Sequence, residues 1–138
     1  MSDGRRQYRI LLVEDSRSDV FLVEEAIRAA ELNAELHVVD DGQKATEFFD
    51  AADAAESQDC PDLVLLDLNL PKKDGAEVLR HLRNSRTCKN APVLIVTSSS
   101  SPRDRELARD ANGYFTKPND LDEFMKLGPL IRELLEQP

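Results

Sequence analysis

The sequence predicts an α/β domain: a doubly wound, five-stranded parallel sheet built as five successive βα units. Three observations lead there. Short runs of Leu, Ile and Val recur without polar alternation, as in strands covered on both faces. Segments of helical periodicity separate those runs, and the connections between them are short. The 138 residues suit one domain able to bury a core without staples.

The first strand is read at Tyr8 to Val13 (YRILLV), after a lead-in over residues 1–7 that carries charge but no apolar segment and reads as disordered. Ser16, with Asp19 three residues on, resembles a capping box and opens the first helix. Its apolar face is Val20, Val23, Ile27 and Ala30. The second strand is Glu35 to Val39, and Gly42 precedes a helix carrying Ala45, Phe48, Phe49 and Ala52. The third strand is Leu63 to Leu66. Gly75 then leads a helix with Val78, Leu79 and Leu82 inward. The fourth strand is Val93 to Val96, followed by a serine loop at 98–101. Pro102 stands at a first-turn position, where its missing N–H costs nothing, and opens a short helix to about Asp110. The weakest strand, Gly113 to Thr116, precedes a last helix capped by Asn119 or Asp120, with Leu121, Phe124, Leu127, Leu130, Ile131 and Leu134 as its stripe. Pro129 within that stripe removes a helical hydrogen bond and predicts a kink or a restart.

Composition narrows the function. Net charge is −9, which argues against nucleic acid or an anionic membrane as a direct partner. No apolar run approaches the ~18 residues of a membrane span. Cys60 and Cys88 form no metal-binding pattern and read by default as free thiols of a cytoplasmic protein, with a regulatory disulfide as the alternative.

In open parallel sheets ligands bind beyond the carboxyl ends of the strands. Polar residues stand directly after the apolar runs there: Glu14 and Asp15, Asp67, Thr97 and Lys117. Singly, each has an ordinary reading as a helix cap, a loop residue or a solvated side chain. Jointly, they bring three carboxylates, a hydroxyl and an ammonium to one cleft. Clustered carboxylates repel unless a cation sits among them, and hard oxygen donors suit Mg2+. A lysine and a hydroxyl suit the remaining oxygens of a transferring phosphoryl group, and an aspartate can accept that group as a nucleophile.

The stretches LLVEDS at 11–16, LVLLDLNLPKKDG at 63–75, VLIVTS at 93–98 and GYFTKP at 113–118 resemble the receiver domains of two-component response regulators. The likeness spans residues 8–138, nearly the whole chain. It implies the CheY-like, flavodoxin-like strand order 2-1-3-4-5. It implies Asp67 as the phosphorylated residue, Asp15 as a direct Mg2+ ligand, Glu14 acting through a metal-bound water, and the backbone carbonyl of Asn69 as a further ligand. Lys117 would pair with the phosphoryl group. Thr97 would hydrogen-bond it and move inward, and Tyr114 would change rotamer as Thr97 moves. A cis bond between Lys117 and Pro118 would turn the lysine into the cleft. The family is not one of enzymes acting on separate substrates, although its members catalyse their own phosphotransfer and dephosphorylation.

The resemblance also implies partners: a sensor histidine kinase or phosphotransfer protein, and a homodimer through the fourth helix, fifth strand and fifth helix, the face that carries the signal. LPKKDG with ANGYFTKPNDLDEF is similar to small regulators paired with bacterial phytochrome kinases. Three features depart from the pattern: a short stretch for the fourth helix, Glu-Asp in place of Asp-Asp, and Gly128-Pro129 in the last helix. Competing readings fare worse. A haloacid-dehalogenase-type phosphatase needs an acid where Asn69 stands. An FMN carrier needs a phosphate-binding loop where Glu14 and Asp15 would repel phosphate. A scaffold without phosphorylation has no use for a complete site.

Overall fold

A computed structural model describes residues 7–55, 60–98 and 101–137. Five parallel strands, β1 (Tyr8–Val13), β2 (Ala34–Val39), β3 (Leu63–Leu66), β4 (Val93–Thr97) and β5 (Gly113–Thr116), lie in the order β2-β1-β3-β4-β5. The predicted fold class and strand order are those observed. The proposed lead-in lies outside the described residues except for Gln7, and so do Ser99 and Ser100 of the serine loop.

Successive strand residues face opposite sides of a sheet, and here both sides are apolar. Leu11, Val13, Val64, Leu66, Val93 and Ile95 face one layer, formed by α2 (Gly42–Ala55) and α3 (Gly75–Arg83). Ile10, Leu12, Leu63, Leu65, Leu94 and Val96 face the other, formed by α1 (Arg17–Ala29) with α5 (Leu121–Phe124) and α6 (Leu127–Leu135). This two-sided burial is why β1, β3 and β4 read as unbroken apolar runs. β2 is an edge strand, and Glu35, His37 and Val38 are exposed on it. It alternates where the buried strands do not.

The fourth helix is short, as the sequence suggests: α4 (Pro102–Glu106) ends in a 3-10 turn at Leu107–Asp110. The last helix breaks at Met125 and Lys126, upstream of the proline, and restarts as α6. Pro129 therefore sits in a first turn, where its lost N–H is no cost. Gly128 explains the pair. A Cβ there would lie 2.6 Å from the Ala26 carbonyl oxygen and 2.9 Å from the Ala30 Cβ, so α6 crosses α1 at a distance only glycine allows. Arg132 on α6 donates to the Ala30 carbonyl beside that crossing. The apolar stripe is spent inside the molecule: Phe124, Leu127, Ile131 and Leu134 are buried, while Leu121, expected on the stripe, is 57% exposed.

The end of the sheet away from the predicted cleft is tied by polar bonds. Arg83, near the end of α3, donates to the carbonyls of Lys89, Ala91 and Asp110 and to Asn112 Oδ1. Asn112 Oδ1 also accepts from the Val93 N–H. Asp53 on α2 accepts from the Ser85 hydroxyl, from both the N–H and the hydroxyl of Thr87, and from the Arg86 N–H. Those bonds, the Thr87 hydroxyl foremost, hold its carboxyl well below the usual range. Close by, Cys60 and Cys88 form a disulfide, which overturns the free-thiol reading. The cause is tertiary: the residues shortly before β3 and β4 lie side by side because those strands pair, and the Cα atoms are 5.5 Å apart. A spacing of 28 residues gave no local sign of it. No helix among the described residues is long and apolar enough to cross a membrane.

Candidate functional site

The strand registers bring the predicted residues to one end of the sheet. Val13 pairs with Leu66, so the residues that follow them, Glu14 and Asp67, leave side by side. The Asp67 N–H donates to the Val13 carbonyl at 3.1 Å, and the Lys117 N–H to the Thr97 carbonyl at 2.8 Å, extending the pairing one step past the strands. Glu14, Asp67 and Thr97 are buried, and Asp15 is exposed at the mouth.

Lys117 is the centre of the cluster. Its Nζ donates to Glu14 Oε1 at 2.7 Å, to Asp19 Oδ2 at 2.7 Å and to Asp67 Oδ2 at 3.2 Å. Burial alone would pull the ammonium pKa down. The bonds to Asp19 and Glu14 and the Asp67 charge outweigh it and hold the pKa above the ordinary lysine value. Glu14 goes the other way. Burial, reinforced by the Asp67 charge, pushes its carboxyl up to about 7 despite the Lys117 hydrogen bond. One ammonium does not neutralise this many acids.

The remaining oxygens are also engaged. Asp67 Oδ1 accepts from the Asn69 N–H at 3.2 Å, and Glu14 Oε2 from the Ser16 N–H at 3.1 Å. Ser16 caps α1 through its hydroxyl, which accepts from the Asp19 N–H. The reciprocal half of the expected capping box is therefore supplied by Glu14, and the Asp19 carboxylate is free to face Lys117. Asp19 is the site residue that sequence reasoning missed, having been read only as a cap partner. Its signal would have been an acid in the first turn of the helix that directly follows Glu14 and Asp15.

Glu14, Asp15 and Asp67 each offer a carboxylate oxygen, all within 4.8 Å of one another. Opposite ligands of an octahedral Mg2+ lie about 4.2 Å apart. The donor set therefore fits a small divalent cation.

The loop after β3 is pinned from two sides. A Cβ on Gly42 would lie 1.9 Å from the Lys73 carbonyl oxygen, and one on Gly75 would lie 2.6 Å from that of Asp67. The Gly42 N–H donates to the Pro71 carbonyl, and that of Gly75 to Leu68. Lys72 adopts φ 71° to make the turn.

Thr97, fully buried, ends β4 beside this cluster. Tyr114 is half-buried against the core, with the Arg105 guanidinium 5.3 Å over its ring. Burial raises its phenol pKa. The Lys117–Pro118 bond is trans, which corrects the expected cis form. The carboxylates draw the ammonium into the cleft without it. The histidines lie apart: His81 Nε2 is 2.7 Å from Asp50 Oδ1, and His37 packs on Phe48.

Residues 10–127 match the response regulator receiver domain. Response regulator Rcp1 of Synechocystis is 38% identical over 120 residues, covering 86% of this chain and 82% of its own. The Mn2+-bound form of Rcp1 superposes with a TM-score of 0.82 at 36% identity, covering 95% of this chain and 96% of that one. The phosphorylated cyanobacterial phytochrome response regulator RcpA does so with 0.78 at 34%, covering 94% of each chain. Sheet order, the acid cluster at the strand ends and the match over most of the sequence agree, and the chain belongs to the response regulator receiver family.

Proposed function

We propose that the protein is a phosphoryl-accepting signalling switch with Asp67 as its acceptor. An Asp67 oxygen attacks the phosphorus of a phosphohistidine on a partner kinase. The O–P bond forms as the N–P bond breaks, and the freed imidazole nitrogen takes a proton. Mg2+, held by Asp15, Asp67 and the Asn69 carbonyl, with Glu14 acting through water, would neutralise charge on the phosphoryl group. Lys117 pairs with a phosphoryl oxygen, and the Thr97 hydroxyl turns to another. Tyr114, packed beside α4, follows Thr97 and alters the α4–β5–α5 face. That face is where a partner reads the switch and where a second copy would pair.

The observation that carries this reading is the reach of Lys117 Nζ to Asp67 inside a three-carboxylate cluster of metal-binding dimensions. Likeness to regulators named for phytochromes supports a phytochrome-type histidine kinase as the donor. A histidine-kinase donor fits a cytoplasmic chain, and the net charge of −9 disfavours direct contact with nucleic acid or an anionic membrane. Intact mass after incubation with acetyl phosphate and Mg2+ tests the reading. One added phosphoryl group is expected, lost with EDTA and in Asp67→Asn. A folded protein that gains none, from acetyl phosphate or from a phosphorylated kinase, refutes it.

A further inference from the structure

Asp19 is an acid at the site for which the proposed reaction has no use. An ammonium has three N–H donors. All three are taken on Lys117: Glu14 and Asp19 at 2.7 Å, and Asp67 at 3.2 Å. A phosphoryl group on Asp67 brings strong acceptor oxygens and added negative charge; it inherits the donor on Asp67, the longest of the three bonds, and drawing a second donor to it requires Glu14 or Asp19 to give way.

The geometry decides which acid gives way. The Glu14 side chain is 2% exposed and its second oxygen is held by the Ser16 N–H, so turning it aside would leave a buried charge unpaired. The Asp19 side chain is 27% exposed, in the first turn of α1, with water in reach. We propose that Asp19 is a positioning residue, an exchangeable counter-ion that holds Lys117 in the unphosphorylated protein and cedes it to the phosphoryl group. This rests on the reading of Asp67 as the acceptor. Two effects act with one sign: the Lys117–Asp19 bond must be surrendered on loading, and the surrendered carboxylate stays close to the new negative charge. Asp19 therefore holds down the phosphorylated fraction.

The test compares the parent with Asp19→Asn and Asp19→Glu, by intact mass at steady state with acetyl phosphate and Mg2+. Circular dichroism checks that each variant is folded. Asp19→Asn should raise the ratio of phosphorylated to unphosphorylated protein on the order of fivefold, the worth of a part-buried charged hydrogen bond. Asp19→Glu restores the charge and should return the ratio toward the parent's. A merely structural role would lower the unfolding midpoint without raising that ratio. A folded Asp19→Asn with the parent's ratio, or a lower one, overturns the assignment. Beryllofluoride with Mg2+, followed by fluorine NMR, mimics the phosphoryl group without a transfer step. There Asp19→Asn should bind about fivefold tighter, and equal or weaker binding overturns the assignment again. A parent that accepts neither phosphoryl group nor beryllofluoride refutes the function itself and this inference with it, whereas a labelled parent with an indifferent variant refutes only the role of Asp19.

Discussion

Replacing Glu14 by Gln should make the metal-free protein more stable at neutral pH, although it removes a side chain that bonds Lys117. The Glu14 carboxyl is raised from 4.5 to about 7 by burial and by Asp67. A folded pKa above the unfolded one means the folded state holds the proton more tightly between those values. Stability from this group is complete below the unfolded pKa and is lost as pH climbs through about 7. A shift of that size corresponds to about 3 kcal/mol at 1.36 kcal/mol per pKa unit. Gln keeps the shape and an acceptor for Lys117, carries no charge and does not titrate. Urea unfolding in EDTA from pH 5 to pH 8 reads the effect. The parent should lose up to about 3 kcal/mol more than Glu14→Gln over that interval, and saturating Mg2+ should abolish the parent's excess loss. Parallel pH curves for the two proteins in EDTA would refute the account of Glu14 as a buried carboxylate short of positive charge.

Further outcomes follow from the same contacts. Lys117→Met leaves Glu14 and Asp67 buried without their cation and should cost on the order of 3 kcal/mol at pH 8 in EDTA; a variant as stable as the parent in urea would show that the ion pairs carry no net weight. Gly128→Ala gains about 1 kcal/mol in helix propensity but meets the Ala26 carbonyl, and overpacking costs about 1–3 kcal/mol. The Tm should fall by roughly 3–5 °C, and an unchanged or higher Tm by calorimetry counts against the close α1–α6 crossing. Cys88→Ser opens a loop of 28 residues and should lower unfolding free energy by about 3–4 kcal/mol, read against the parent with and without reductant. Thr97→Ala should still be phosphorylated while the Tyr114 ring environment, followed by NMR, stays as in the unphosphorylated protein; a full response would remove Thr97 from the coupling.

The parts legible in the sequence are those written in local pattern. Strands β1, β3 and β4 announce themselves because burial on both faces removes alternation. The positions of Glu14, Asp67, Thr97 and Lys117 follow from the rule that chemistry gathers at strand ends, once the strands are placed. What escaped depends on contacts between distant residues. Asp19 meets Lys117 across 98 residues, and its local neighbour Ser16 supplied a sufficient explanation for it. The disulfide depends on β3 and β4 being neighbours, which no spacing of cysteines reveals. The Gly128-Pro129 pair looked like damage to a helix and proves to be a close crossing, because the helix begins again two residues before the proline.

The polar tie around Arg83 and Asn112 bears on how motion would travel. One guanidinium holds the end of α3, the approach to β4 and the approach to β5 in a single knot. Sliding β4 past β5 would break these bonds, so a displacement of Thr97 at the far end of β4 would have to be taken up by bending or turning about the fastened end. A knot of this kind would confine such a movement to the cleft end of the two strands and leave the opposite end of the core as it is.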